Sequence, residues 1–515
     1  MGMKIYRRKY GSLAIAVMVV LISVHKGFVA QAAVSNQAGQ TTPPAKASYT
    51  APAIAPPSDE PYQAFYGGHI QRAMTLLETS SVEHRWPVRI LLYGQSIVGS
   101  TDFTQDLDNY FHSEFPYADI HLENRAIGGF MADRLFRTAA HDLYPYYPDL
   151  LIFHVYGGQD TGDLERILSN VRRYTTADIV LFNDHRQRDH EISEASAAYF
   201  RYLAAKYSCE LVDVSMEWPR YLSEHHMEPR EMLRDAVHPN ADGYVLLSEL
   251  IERHLKYNPL FPGSWTKMVR TYEVKRPLVE GATDEVQLAG EGWTTRYDGA
   301  AGTSSNGRLR LEFTGNKVDL IAGHIKDGDK LGTARIFIDG KAPSADPAAV
   351  YLTRPSEGPH TWFPAIKRIS HDAPLIPEEW TLRITAINSD ATLFNFEVSG
   401  SKTGLDGQGT NDKPFRSKSG RVSIDPSDWM LADIMKIFKQ TVPPPAGFEV
   451  HWSAVPLYVD EYRAITATEK GRVYATTLTQ GIRNGKHTLE IVPNGDGAVP
   501  IQSIEVYRPP LDSAQ

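Results

Sequence analysis

The sequence predicts a three-layer α/β domain with a parallel sheet, followed by an all-β region. Between residues 62 and 262, short apolar runs alternate with longer amphipathic runs, and Gly-containing polar turns follow three of the apolar runs. Beyond residue 268, the amphipathic runs give way to short segments rich in β-forming residues. The first pattern is typical of a parallel sheet between helices, and the second is typical of a β-sandwich.

The parallel sheet is predicted from continuous apolar runs, which indicate strands buried on both faces. The predicted strands are residues 88–93, 120–123, 150–156, 179–183 and 211–214. The predicted helices are residues 103–115, 132–143, 163–174, 191–207 and 241–257. In such folds ligands bind at the carboxyl ends of the strands, so the residues that follow the strands are the candidates for function.

The all-β region is predicted to span residues 268–511 as one elaborated, jelly-roll-like sandwich, with two separate domains as the alternative. Its predicted strands are residues 309–313, 318–321, 334–338, 382–386, 393–398 and 488–492. Turns are predicted at Asp339-Gly340, Gly315-Asn316 and Asn484-Gly485. Residues 400–420, rich in Gly, Ser and Lys, are predicted to form a mobile loop, and residues 426–440 are predicted to be helical.

The first 32 residues are typical of a secretory signal peptide, with a basic start, an apolar run over 13–24 and a small-residue cleavage site ending at Ala32. The apolar run is shorter than the ~20 residues that a membrane span needs. We expect cleavage near Ala32, with retention as an anchor as the alternative, and a linker over 33–61. Because Cys209 is the only cysteine, no intramolecular disulfide can form, and we expect a bacterial protein that is periplasmic or secreted.

The composition excludes some classes of partner. The chain has 42% hydrophobic and 22% charged residues, as soluble globular proteins do, and its formal net charge is −9. An acidic protein is a poor match for nucleic acid, whose phosphates are neutralised by Lys and Arg. The histidine pairs at 185/190 and 225/226 lack the spacing of zinc ligands. We expect no nucleic-acid partner, no metal and no organic cofactor.

Ser96 directly follows the first predicted strand in the segment Gly94-Gln95-Ser96. Its hydroxyl is therefore predicted to lie at the carboxyl edge of the sheet. Serine is a weak nucleophile until a neighbouring base removes its proton. Such a segment alone is far more often an ordinary structural turn, so its partners decide the interpretation.

Asp235 and His238 are the predicted partners of Ser96. A spacing of three in a short loop lets the carboxylate reach Nδ1 of the imidazole while Nε2 points away from it. Pro239 stiffens this loop, and Asn240 can cap the last predicted helix. Without Ser96, the alternative is a turn whose histidine simply lies on the surface.

Two Gly-containing turns follow the second and third strands. Gly128-Gly129 can bring a backbone N–H close to a ligand, as an oxyanion hole requires, and the Gln159 side-chain amide can supply another donor. The alternative for each is an ordinary turn. Asp160, in the second of these turns, lies at the same predicted edge of the sheet.

Together these sites resemble the SGNH (GDSL-type) serine hydrolase superfamily over residues 86–257. The resemblance implies a flavodoxin-like three-layer fold and an esterase whose nucleophile is Ser96, with Asp235 and His238 completing the triad. It also implies an oxyanion hole formed by the N–H groups of Ser96 and Gly129 and by Gln159.

The chain departs from this superfamily at two positions. Gln159 stands where members usually carry Asn, so the amide sits on an arm one methylene longer, and Gln95 stands where many carry Asp. The α/β-hydrolases share the order Ser, Asp, His, but their Gly-x-Ser-x-Gly elbow is absent because Val98 takes the place of the second glycine.

Four further residues are predicted to line the substrate cleft: Gly128, Asp160, Asp184 and His185. Residues 308–341 are similar to the jelly-roll modules appended to carbohydrate esterases. This resemblance implies an exported enzyme that removes acyl groups, with acetyl expected, from a polysaccharide. The alternatives are a lipid esterase, a thioesterase, an O-acyltransferase, or a non-catalytic surface protein that binds carbohydrate.

Overall fold

A computed structural model describes residues 63–190, 192–261, 265–274, 285–355, 362–466 and 469–512. The predicted signal peptide and the predicted linker lie outside the described residues. Among the residues that the structure describes, no helix is long and apolar enough to cross a bilayer.

The first part of the chain forms a five-stranded parallel sheet in the order β2-β1-β3-β4-β5. Its strands are β1 (Pro87–Gly94), β2 (Asp119–Asn124), β3 (Leu150–His154), β4 (Asp178–Phe182) and β5 (Glu210–Val212). The helices are α1 (Gln71–Glu78), α2 (Thr101–Glu114), α3 (Ala132–Asp142), α4 (Asp163–Tyr174), α5 (Glu194–Tyr207), α6 (Val214–Glu224) and α7 (Ala241–Glu252). This is the strand order of flavodoxin-like folds, which confirms the predicted fold class.

The sheet lies between two helical layers because successive side chains of a strand face opposite sides. Leu91 and Tyr93 of β1 belong to one core with α3, α4 and α5, whereas Ile90 and Leu92 belong to a second core with α1, α2, α6 and α7. All four side chains are fully buried. Both helical layers were predicted from the sequence. Helices α1 and α6, which are short and amphipathic, were not predicted.

The second part of the chain forms two larger antiparallel sheets, as expected for a β-sandwich. The described elements here are α8 (Trp265–Met268), β6 (Val269–Glu273), β7 (Gln287–Ala289), β8 (Trp293–Thr295), β9 (Ala300–Gly302), β10 (Arg308–Ala322), β11 (Thr333–Ile338), β12 (Val350–Leu352), β13 (Glu378–Ile387), β14 (Phe394–Gly400), β15 (Gly404–Thr410), β16 (Phe415–Arg416), β17 (Ser423–Ile424), α9 (Leu431–Ile437), β18 (Glu449–Pro456), β19 (Glu461–Arg463), β20 (Ala475–Pro493) and β21 (Val499–Tyr507).

The larger sheet has nine strands and its own hydrophobic core. It runs β19-β11-β20-β10-β21-β9-β8, with β6 paired to β21 and β7 paired to β10. The predicted turns at Gly315-Asn316 and Asn484-Gly485 are wrong, because both lie inside the long strands β10 and β20. Gly315 pairs with Gly485, and the pairing register shifts between Gly315 and Lys317. The glycines therefore mark a bulged bend rather than a chain reversal.

The smaller sheet has five strands in the order β12-β18-β13-β14-β15. The mobile loop predicted over 400–420 is wrong, because β15 pairs with β14 along its whole length. Its glycines leave room for aromatic rings: a Cβ on Gly409 would lie 2.8 Å from the Phe415 ring and 3.0 Å from the Phe396 ring. The helix predicted over 426–440 is confirmed by α9.

The smaller sheet and its connections dock on α3 through a shared apolar core and buried polar contacts. His141 of α3 hydrogen-bonds the Leu352 carbonyl through Nδ1 at 2.8 Å and accepts from the Ile369 N–H through Nε2 at 3.1 Å. Arg354 pairs with the buried Asp142 at 2.7 Å. These contacts fix the position of α3, which begins just after the Gly128-Gly129 turn.

Buried carboxyls on α7 predict that the fold loses stability as pH rises. Burial, together with the charges of Glu249 and Asp106, raises the pKa of Glu252 to about 8, and burial raises the pKa of Glu249 to about 7. An unfolded Glu titrates near ~4.3. The stability that these protonated groups contribute is therefore complete below that pH and is lost as pH rises through 7 and 8.

We expect Glu252→Gln to reduce the fall in melting temperature between pH 5 and pH 9, as measured by calorimetry. Glu78→Gln, at an exposed position, is the matched control and should follow the unmodified protein. An equal fall in all three proteins would contradict this expectation.

Candidate active site

Ser96 lies in the turn that leaves β1, where the strand order reverses between β1 and β3. Gly94 opens this turn with φ 156°, and a Cβ there would collide with the carbonyl oxygen of His154. Only glycine allows β1 to end so close to β3. A hydrogen bond of 2.9 Å from the Gly99 N–H to the Gln95 carbonyl closes the turn. The Ser96 hydroxyl is thereby presented at the carboxyl edge of the sheet.

Ser96, His238 and Asp235 form a continuous hydrogen-bonded chain. His238 Nε2 lies 2.8 Å from Ser96 Oγ, and His238 Nδ1 lies 2.9 and 3.0 Å from the two carboxylate oxygens of Asp235. A neutral imidazole that donates from Nδ1 to the carboxylate leaves Nε2 free to accept the serine proton. The loop that carries both partners ends where the Asn240 side chain caps α7.

The Asp235 carboxylate is held ionised by its own loop. Its Oδ1 accepts hydrogen bonds of 2.8 Å from the N–H groups of Val237 and His238. Burial raises the pKa of Asp235, but these two bonds and the His238 side chain outweigh it and lower the pKa to about 2. The group that faces Nδ1 is therefore a full negative charge at neutral pH.

His185, a predicted cleft residue, contacts the loop that carries Asp235 and His238. It is buried, and its Nε2 lies 2.7 Å from the Val237 carbonyl oxygen. Burial lowers the pKa of His185 to about 4, so the ring is neutral and Nε2 carries the donated proton. His185 is therefore buried against the loop that carries Asp235 and His238.

The Ser96 hydroxyl has a second neighbour that the sequence analysis did not identify. Gln95 Oε1 lies 2.8 Å from Ser96 Oγ and accepts from the Ile97 N–H at 3.2 Å. A hydroxyl has a single proton, so it donates to either His238 or Gln95 at one time. Gln95 directly precedes Ser96 in the chain, so its side chain is close enough to contact the hydroxyl.

The Gly128-Gly129 turn lies beside Ser96 and is exposed. A Cβ on Gly128 would lie 3.8 Å from Ser96 Cβ, and Gly129 adopts φ 77°. The Asn124 side chain joins this turn to the one after β1. Its Nδ2 donates to the Val98 carbonyl at 2.7 Å, and its Oδ1 accepts from the Ala126 N–H at 2.9 Å.

Arg134 and α9 contact Gly129, and neither contact was predicted from the sequence. Arg134 Nη1 donates to the Gly129 carbonyl at 3.1 Å, and Nη2 lies 3.4 Å from Asp433 of α9. A Cβ on Gly129 would lie 3.3 Å from Ile437 Cγ2. Helix α9 thus contacts the Gly128-Gly129 turn directly through Ile437 and indirectly through the Arg134 side chain of α3.

Gln159 and Asp184 belong to a polar cluster beside the triad. Gln159 Nε2 donates to Ser196 Oγ at 2.8 Å, and Ser196 Oγ lies 3.4 Å from Asp184 Oδ2. Burial raises the pKa of Asp184 to about 6 and lowers the pKa of His154, 4.0 Å away, to about 3. One amide hydrogen of Gln159 is therefore committed to Ser196, and its oxyanion role stays a prediction. Asp160 is exposed.

Among the described residues, no group of three or more His, Cys, Asp or Glu side chains has the arrangement of a metal site.

No protein-family model and no curated protein matches the chain. Among solved structures, the chain is similar to a two-domain esterase active on acetylated mannans, with 13% identity and a TM-score of 0.33, over 87% of this chain and 96% of that one. The chain is also similar to a structure of a two-domain esterase of the same description that was co-crystallised with mannopentaose. That similarity has 13% identity and a TM-score of 0.34, over 89% of this chain and 100% of that one.

Shorter similarities cover 34% of this chain. One is to a GDSL-like lipase from Parabacteroides merdae, with 18% identity, a TM-score of 0.29 and 100% of that chain covered. Another is to a catalytic mutant of an acetylxylan esterase from Geobacillus stearothermophilus, with 15% identity, a TM-score of 0.30 and 97% of that chain covered. At these identities the likeness concerns the fold alone.

The geometry predicts an Asp235 carboxyl that titrates near pH 2 rather than at the ~3.9 of an ordinary Asp. The stability linked to this charge is present above the ordinary value and is lost as pH falls through 2. Carbon-13 NMR of the aspartate carboxyls should detect the low value. His238→Ala should raise it, and Ser96→Ala should leave it unchanged. Titration near pH 4 in the unmodified protein would contradict the assignment.

Proposed function

We propose that this protein is a serine esterase that hydrolyses ester-linked acyl groups. The single observation that carries the proposal is the hydrogen-bonded chain from Ser96 Oγ through His238 to Asp235. These three groups supply a nucleophile, a base within 2.8 Å of it and an anion that orients the base.

The proposed reaction proceeds through an acyl-enzyme. His238 Nε2 takes the Ser96 proton as Oγ bonds to the ester carbonyl carbon, giving a tetrahedral oxyanion. The carbon–oxygen bond to the alcohol then breaks, and His238 gives its proton to the departing oxygen. Water repeats the sequence on the acyl-enzyme: it loses a proton to His238, attacks the carbonyl carbon and releases the acid, and Ser96 regains its proton.

The oxyanion is proposed to bind the N–H groups of Ser96 and Gly129, with Gln159 as the third donor. We propose Arg134 as a positioning residue in this arrangement, because it holds the Gly129 carbonyl and Asp433 at the same time. A donor contributes most when it is already oriented before charge develops. Arg134 holds the peptide between Gly129 and Phe130, which limits rotation of the neighbouring peptide that carries the proposed Gly129 N–H donor. This positioning favours the transition state without any contact between Arg134 and the substrate.

The proposed substrate is an acetylated polysaccharide outside the cytoplasm. Support comes from the openness of the site: half of the Asp235 side chain is exposed, and the Gly128-Gly129 turn is exposed as well. An open edge accepts an acyl group attached to a long chain, whereas an enclosed pocket would admit only a small ester. The signal-peptide pattern supports export.

Ser96→Ala is expected to reduce kcat for p-nitrophenyl acetate by at least about 10⁴-fold, because it removes the atom that forms the acyl-enzyme. Asp235→Asn should cost about as much, since it removes the charge that orients and stabilises His238. Steady-state kinetics measures both effects. Ser113→Ala, at a half-buried position of α2 where the hydroxyl donates to the Tyr110 carbonyl, is a matched control and should keep full activity.

Equal turnover by the unmodified protein and Ser96→Ala would overturn the proposed triad. Acetate release from acetylated xylan, pectin and alginate oligomers, with Ser96→Ala as the blank, tests the substrate class. Activity confined to long-chain acyl esters would overturn the carbohydrate assignment and favour a lipid esterase.

Arg134→Gln is expected to lower kcat about 10- to 100-fold with little change in KM, because it releases the Gly129 carbonyl. Arg134→Lys should recover part of the loss. Arg137→Gln is the control on the same face of α3: it loses the 2.6 Å contact with Asp428, which does not touch Gly129. We expect a lower melting temperature with unchanged kcat for that variant. Equal kcat losses in both variants would make Arg134 merely structural.

A further inference from the structure

A second concave site lies on the nine-stranded sheet, and the proposed catalysis does not use it. We call this site the basic groove and define it by the cations that line it, Lys267, Arg270, Lys486 and Arg508. Its volume is about 740 Å³, within the range of ligand pockets. The groove is formed by α8, β6, β10, β20 and the end of β21, none of which carries a triad residue.

The bulged bend of the long strands shapes the groove. Gly315 of β10 pairs with Gly485 of β20 and approaches the carbonyl oxygen of Tyr507 so closely that a Cβ would collide with it. Before this bend, β10 pairs with β7; after it, β10 pairs with β21. Bulges that turn a strand commonly re-aim side chains at a functional surface. Here the bend brings Lys486 and Arg508 to the same concavity.

The four cations of the groove are exposed, and within the described ranges no carboxylate forms an ion pair with any of them. The groove also has two carboxylates, but each has another partner. Asp339 holds His487 at 2.7 Å, and Glu312 pairs with Arg310 at 3.1 Å. In a chain with a formal net charge of −9, a groove lined by four cations and two carboxylates is a local reversal of the protein's charge.

One cation is also fixed in direction. The Arg270 guanidinium lies 4.6 Å from the centre of the Tyr272 ring, a stacking arrangement that orders the side chain. Guanidinium groups bind carboxylates and sulfates in a planar, two-point geometry, and ammonium groups add charge without that direction. A groove that combines both suits a ligand with repeated anionic groups.

We propose that the basic groove binds an anionic polysaccharide, that is, a chain with carboxylate or sulfate groups on its sugars. The choice of a glycan among polyanions rests on the proposed esterase function. Duplex nucleic acid and anionic membranes present charge over a much wider area than this groove. The groove would hold the polymer while the separate triad removes its acyl groups.

The test measures binding to the full-length Ser96→Ala protein, so that hydrolysis does not interfere. Titration calorimetry with polygalacturonate, alginate and dextran sulfate separates carboxylate from sulfate recognition, and unsubstituted mannan is the neutral polymer. We expect binding to the anionic glycans that weakens with added NaCl, and none to mannan. Lys486→Gln with Arg508→Gln should weaken it about tenfold or more.

The matched control is Lys413→Gln with Arg463→Gln, which makes the same change of charge at exposed positions outside the groove. We expect this control to bind within about twofold of the parent. Equal weakening in both double variants, or no binding to any anionic glycan, would overturn the proposal. Groove-dependent binding to duplex DNA or to phosphatidylserine vesicles of similar strength would overturn the glycan assignment. Binding without esterase activity would overturn the proposed function and leave the groove intact.

Discussion

The approach of β1 to β3 at their carboxyl ends is the constraint on which the site depends. Gly94 has no side chain to collide with the His154 carbonyl, so β1 can run to its last residue beside β3 before the chain turns. The turn then lies where the strand order reverses, the position at which open α/β sheets leave a crevice. Ser96 is directed into that crevice by backbone geometry, before any contact with His238 is considered.

The loop from Asp235 to His238 is held in place by hydrogen bonds that also set the charge of the Asp235 carboxyl. Asp235 accepts two backbone hydrogen bonds from its own loop, and the same bonds keep its carboxylate ionised. His185 is kept neutral by burial and donates to the Val237 carbonyl. The His238 ring is therefore already oriented toward Ser96, and it does not need to move to accept a proton from the hydroxyl. Such an arrangement is expected of a preorganised site.

Helix α3 connects the accessory β structure to the site. Buried polar contacts of His141 and Asp142 dock the smaller sheet on this helix, and Arg134 on the same helix reaches the Gly129 carbonyl. The smaller sheet is therefore more than an appended module, because its α9 packs against the proposed oxyanion turn. The larger sheet keeps a separate core and offers a separate concave surface.

The α/β class, the parallel sheet and the short loop from Asp235 to His238 could be predicted from the sequence, because these features depend on local periodicity and on residues a few positions apart. The sequence also indicated that Ser96 lies at the strand edge. The residues that surround that edge could not be predicted from the sequence, because tertiary packing brings them together. Ile437 reaches Gly129, and Asp433 reaches Arg134, across about 300 residues of the chain, and no local pattern encodes such contacts. The bends at Gly315 and Gly485 were mistaken for turns, since a glycine permits either, and long-range strand pairing chose the bend.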